Sequence, residues 1–178
     1  MPRWWRIDPW GVRQAFLGLL LAAGATIAAV VLVSVLKAAD AGRVDAREGL
    51  GAVAVAAFLA LWLTLGTRFY LVGVYVNDRG VRLRYNFSTR TLPWSEVTGF
   101  DVRPAVLLGE PTVRDACWVR TAEGPVETPV QRRSREMGWR KDVGPVLSPK
   151  EFDRLVARLD AELAAARRAQ AGGGAVPR

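Results

Sequence analysis

The chain has no histidine and one cysteine, Cys117. Without an imidazole there is no histidine general base and no histidine metal ligand, and one thiol makes neither a multi-cysteine metal site nor an intrachain disulfide. In the run Ala116-Cys117-Trp118-Val119 the cysteine reads as a small core residue. Charge is absent from two long stretches, residues 14–36 and 49–67. Frames for catalysis are missing as well. No paired-carboxylate motif, nucleophile elbow or phosphate-cradling glycine loop surrounds the acids Asp78, Glu96, Asp101 and Glu110. Asp78 has the simpler reading of a turn residue. The expectation is a non-enzymatic protein that folds without metal or cofactor.

The uncharged stretches are long enough to matter. At ~1.5 Å per residue, roughly 23 residues span about 30 Å of hydrocarbon, and the second run, of about 19, also meets the requirement. A cleaved leader is the rival for the first run, since Ala39-Asp40-Ala41 resembles a cleavage site. However, the run exceeds the ~7–15 residues of a leader core, and a second run follows at once. Gly18, Ala22 and Gly24 in the first run, with Gly51, Ala52, Ala56 and Ala60 in the second, are small enough for close helix approach. They also offer faces for a homo-oligomer or a membrane-protein partner. Arg3, Trp4, Trp5, Arg6 and Trp10 before the first run, and Trp62, Arg68 and Tyr70 at the end of the second, suit a membrane interface. Arginines are more numerous outside the connecting loop, at Arg3, Arg6, Arg13, Arg68, Arg79, Arg82, Arg84 and Arg90, than the basic residues within it, Lys37, Arg43 and Arg47. Positive-inside then puts both termini in the cytoplasm.

From Tyr70 the pattern changes to period two. Val74 and Val76 alternate with Tyr75, and Asn77-Asp78-Arg79-Gly80 supplies a turn. Val81, Leu83, Tyr85 and Phe87 then share one face, opposite Arg82, Arg84 and Asn86. After a turn at Ser88-Thr89, Leu92 and Trp94 begin a third strand that Phe100 and Val102 continue past an irregularity near Gly99. Residues 103–115, with Pro104, Gly109 and Pro111, read as a loop holding at most a short strand at 105–108. Residues 117–121 and 126–130 form a hairpin about Ala122-Glu123-Gly124, the second strand at an edge because Pro125 and Pro129 cannot donate to a ladder. A basic segment follows, in which Arg132, Arg133, Arg135, Arg140 and Lys141 surround Met137 and Trp139. It reads as a solvated loop or as a surface for lipid or a partner. Ser148-Pro149-Lys150-Glu151 is a capping box, and Phe152, Leu155, Val156, Leu159 and Leu163 form one apolar stripe behind it.

The segments 77–84 (Asn-Asp-Arg-Gly-Val-Arg-Leu-Arg) and 90–97 (Arg-Thr-Leu-Pro-Trp-Ser-Glu-Val) resemble the bacterial PH-like (pleckstrin-homology-like) domains of small actinobacterial membrane proteins. The resemblance covers residues 69–130. It implies an antiparallel, partly open barrel or sandwich with a C-terminal helix, no catalytic residues, and a bacterial plasma-membrane location. The expected layout is an interfacial N-terminus (1–13), a first span (14–36), an extracytoplasmic loop (37–48), a second span (49–68), a cytoplasmic mainly-β PH-like domain (69–147), a capping helix (148–170) and a disordered tail (171–178).

The net charge of +8 and pI near 10.7 point to an anionic partner, the phospholipid bilayer's inner leaflet first and nucleic acid second. Neither a helix-turn-helix nor the exposed aromatic pairs of an RNA-binding sheet is present. The expected function is a membrane-anchored adaptor that binds a protein partner or anionic lipid. The alternatives are an accessory subunit of a transport or envelope complex and a membrane-tethered nucleic-acid regulator.

Overall fold

The computed structural model describes residues 3–9, 12–42, 46–140 and 144–173. Trp10, Arg43, Lys141 and residues 174–178 of the expected tail lie outside them. The chain divides into two compact units, Val12–Leu71 and a second made of Met1–Gly11 with Val72–Arg178.

The first unit is a helical hairpin of α1 (Val12–Asp40) and α2 (Ala46–Tyr70). Both helices are long and apolar enough to cross a membrane. Each outruns its uncharged stretch, so the expected polar loop at 37–48 shrinks. Ala38 and Ala39 are strong helix formers, and Lys37 in the last turn complements the carbonyl end of α1. Gly42 stops the helix in the left-handed region at φ 64°, its N–H donating to the Ala39 carbonyl. The helices approach through glycine on both sides. A Cβ on Gly24 would stand 2.0 Å from the Trp62 ring, and one on Gly66 would stand 2.7 Å from Leu21. Gly18 faces Tyr70, whereas Gly51 faces open space. The seam on α2 therefore runs through Trp62, Gly66 and Tyr70 rather than through Gly51. Ala52, Ala56 and Ala60 line an open apolar groove.

The second unit holds two four-stranded sheets. The first is β1 (Trp5–Arg6), β2 (Gly73–Asn77), β3 (Gly80–Arg84) and β4 (Thr89–Pro93), antiparallel in that order. The second is β5 (Val97–Leu107), β6 (Glu110–Thr121), β7 (Gly124–Arg132) and β8 (Val146–Leu147), in that order, with the last pair parallel. A helix, α3 (Pro149–Gly173), follows. One core joins these layers. Val74, Val76, Val81, Leu83 and Leu92 meet Phe100, Cys117, Val119 and Val130, with Phe152, Leu155, Leu159 and Leu163 of α3 packed against them. Each such side chain contributes roughly 1.5–3 kcal/mol on burial. Cys117 is a core residue, as expected. Burial, with the Asp160 and Asp101 carboxylates adding to it, pushes its thiol up to about 12.

Local chemistry explains the turns. Asn77 Oδ1 accepts from the N–H groups of Arg79 and Gly80 at 2.9 and 3.1 Å. Its carbonyl accepts from the Trp94 indole N–H at 2.8 Å. Gly80 has no alternative, because a Cβ there would stand 2.1 Å from the Leu92 carbonyl oxygen. The Ser148 capping box forms as its spacing predicts. The Ser148 N–H donates to Glu151 Oε2 at 3.0 Å, and the Glu151 N–H to Ser148 Oγ at 3.4 Å. The helix then runs past residue 170 to Gly173.

Four expectations are corrected. β3 ends at Arg84, and the Tyr85 N–H closes a turn onto the Ser88 carbonyl, leaving Phe87 exposed rather than on the core face. Leu92 and Phe100 do not share a strand, because the chain turns at Trp94–Glu96 and passes to the other sheet. Residues 103–115 are not a loop but the ends of β5 and β6 around a two-residue turn, Leu108-Gly109, with both φ positive at 54° and 90°. Pro104 is tolerated because β5 is an edge strand whose register shifts beside it. The N-terminal residues, finally, are not a separate segment. Trp5 and Arg6 pair with Val76 and Tyr75, and the Ile7 N–H donates to the Val74 carbonyl at 3.0 Å.

Candidate anion-binding cleft

The basic segment starts as strand and ends as coil. Gln131 and Arg132 are the last residues of β7, held by β8, and the Arg133 N–H donates to the Leu147 carbonyl at 2.7 Å. Beyond this the segment folds back along β6. The Glu136 N–H donates to Ser134 Oγ at 3.1 Å, Arg140 Nη2 to the Glu136 carbonyl at 2.7 Å, and the Val113 N–H to the Trp139 carbonyl at 3.2 Å. The loop is thereby tied at both ends. Its apolar side chains stay out in solvent, Met137 at 94% and Trp139 at 69% exposure.

Arg132, Arg133 and Arg135 line one open cleft of about 470 Å³. Its far wall is Pro104 of β5 and Thr112, Val113 and Asp115 of β6, and Pro149 at the start of α3 stands on its rim. Arg132 lies between two carboxylates, 3.9 Å from Asp115 and 3.7 Å from Asp153. At that distance and exposure the pairs orient the guanidinium more than they stabilise the fold. Arg133 and Arg135 make no side-chain hydrogen bond or ion pair among the described residues. A guanidinium presents a planar fork of donors that matches a carboxylate or phosphate. The positive end of α3 adds to the same field. The arrangement suits recognition of an oxyanion. Trp139 and Arg140 sit on the outer part of the loop and do not line the cleft.

The expected interface residues have varied surroundings. Arg6 is 11% exposed. Its Nε and Nη2 donate to Asp8 Oδ2 at 2.7 and 2.5 Å, and Nη2 also donates to the Val72 carbonyl at 2.9 Å. Asp8 Oδ1 accepts the Val74 N–H at 2.9 Å. Burial pushes the Asp8 carboxyl up, against the opposing pull of Arg6. Arg6 is therefore a half-buried structural cation on a fully buried carboxylate, and the alternation of Arg and Trp carries no sign of that. Trp4 lies under the Arg82 guanidinium, 4.1 Å from ring centroid to carbon. Trp62 and Tyr70 pack against α1 glycines. Arg3, Trp5 and Arg68 remain exposed. Of the candidate acids, Asp78, Glu96 and Glu110 are exposed, and Asp101 is paired with Arg103 at 2.6 Å and Arg120 at 3.3 Å.

The far wall of the cleft is not legible in the sequence, where Pro104, Gly109 and Pro111 read as a loop. Thr112, Arg114 and Ala116 alternate inward, but their mixed polarity carries no hydrophobic period. No known protein family, no curated protein and no solved structure matches the chain.

Proposed function

We propose that this chain is a non-enzymatic, membrane-anchored module of PH-like type, tethered by its helical hairpin and offering an arginine cleft to an anionic group on a protein partner or on the membrane surface. The observation that carries the reading is the convergence of Arg132, Arg133 and Arg135 on one cleft, beside exposed Met137 and Trp139, in a chain with two helices able to cross a membrane. Each arginine near an anionic leaflet contributes on the order of 1 kcal/mol. Tethering raises the effective concentration of the cleft at the membrane, so a modest surface suffices. The PH-like assignment is supported by the sheet-and-helix layout and by the Trp94 and Gly80 packing at the two resembling segments.

The test is hydrogen exchange of the full chain in nanodiscs of neutral or anionic phospholipid. The expected result is slower exchange at residues 132–140 in anionic discs, abolished when Arg132, Arg133 and Arg135 are all changed to Glu. Unchanged exchange removes the lipid role of the cleft. A photo-crosslinker at position 139 in native membranes then tests the protein-partner role, which fails if the crosslinks are the same in the triple-Glu chain.

A further inference from the structure

A second cleft, of about 230 Å³, lies between the N-terminal segment and the first turns of α3, lined by Ile7, Pro9, Glu151, Arg154, Leu155 and Arg158. We propose that it holds the phosphate of an anionic phospholipid headgroup, with Arg154 and Arg158 as its ligands; the proposal rests on the membrane-anchored reading above.

Three observations converge there. Arg154 and Arg158 are four residues apart on one helix, so their side chains are neighbours on one face. Both are exposed, and neither makes a hydrogen bond or close ion pair among the described residues. The one acid in the lining, Glu151, accepts at Oε2 from the Ser148 N–H at 3.0 Å and from Ser148 Oγ at 2.6 Å; its charge also acts on Arg154, and the two arginines outnumber it in the cleft. The floor is apolar and firm: Ile7 and Leu155 are 5% and 2% exposed. The third observation is place in the chain. Pro9 stands three residues before Val12, where α1 begins. Three residues reach at most about 11 Å. The cleft is thus covalently held within a short reach of the end of a helix able to enter a bilayer. A forked guanidinium pair over an apolar floor matches a phosphate diester with its glycerol backbone better than a freely hydrated ion.

The full chain is purified in neutral detergent, delipidated, and offered phosphatidylglycerol, phosphatidylcholine or inorganic phosphate, with bound species read by native mass spectrometry. The wild type is expected to retain phosphatidylglycerol in preference to phosphatidylcholine. Arg154→Gln or Arg158→Gln reduces retention about fivefold, and the double variant roughly thirtyfold. Both side chains are exposed, so an unchanged unfolding profile checks that the fold is intact. The triple-Glu chain altered at Arg132, Arg133 and Arg135 is expected to retain the lipid. Equal retention by the double variant overturns the site, and full displacement by inorganic phosphate overturns the lipid as its occupant. Carbonate extraction from neutral vesicles separates the two readings: a chain that stays with the vesicles but shows no lipid preference loses only this site, whereas an extracted chain loses the anchor as well.

Discussion

Arg6 and Asp8 form an ion pair largely out of water, and each also satisfies a neighbouring backbone group, at Val72 just before β2 and at Val74 within it. Such a pair adds little over apolar residues of similar shape, but removing one partner strands a buried charge. Arg6→Ala is expected to destabilise the sheet domain by about 3–5 kcal/mol, with the double change Arg6→Leu/Asp8→Asn recovering most of it. Urea unfolding of the full chain in detergent measures both. A single Arg6→Ala change costing no more than an exposed arginine would show that the pair is not held as described. Gly73 belongs to the same arrangement, since a Cβ there would meet Asp8 Oδ1 at 2.6 Å. None of this is visible in the residue string, where Arg6 sits among tryptophans and arginines that suggest an interface. What distinguishes it is a partner two residues on and a carbonyl 66 positions away. Cys117 was legible for the opposite reason, because its apolar neighbours are adjacent in sequence.

Among the elements, α3 was the most readable, since its cap and its stripe are both local. Ser148→Ala is expected to cost about 1 kcal/mol. Hydrogen bonds from Ser148 hold the Glu151 carboxyl below its usual range. A lowered folded-state pKa means stability that is fully present above 4.5, the ordinary value, and that is lost as pH falls through the folded pKa. The stability difference between the wild type and Glu151→Ala should therefore be constant from neutral pH down to about 5 and shrink below it. Thermal unfolding followed across that range checks this, and a difference that grows in acid would sink it. The strands were harder to read. Alternation places side chains on faces but does not say which sheet a strand joins, so Leu92 and Phe100 looked continuous across what is a turn at Trp94–Glu96. Prolines 104 and 111 suggested a loop, yet an edge strand with a register shift accommodates Pro104. The basic segment was legible as charge, while its cleft needed the wall from β6.

At the scale of the whole molecule, the sheet domain is assembled from both flanks of the hairpin. A fragment beginning at Val72 lacks β1, Ile7 and the Asp8 contact. Residues 1–11 joined to it by a short flexible linker in place of the hairpin should restore a stable soluble domain. The gain over the fragment should be at least the roughly 1.5–3 kcal/mol of burying Ile7, and a chemical denaturation midpoint no higher than the fragment's would contradict it. The same pairing sets a parity rule on synthesis. β1 is made first, and its partner residues, Tyr75 for Arg6 and Val76 for Trp5, follow some seventy positions later, a wait of about 3–14 s at the usual pace of translation. During that wait both helices emerge. Were only one of them to cross a bilayer, β1 and β2 would be stranded in different compartments and the first sheet would lack an edge. An even number of crossings is the one outcome that lets the sheet domain finish, so the fold itself rejects a half-inserted hairpin.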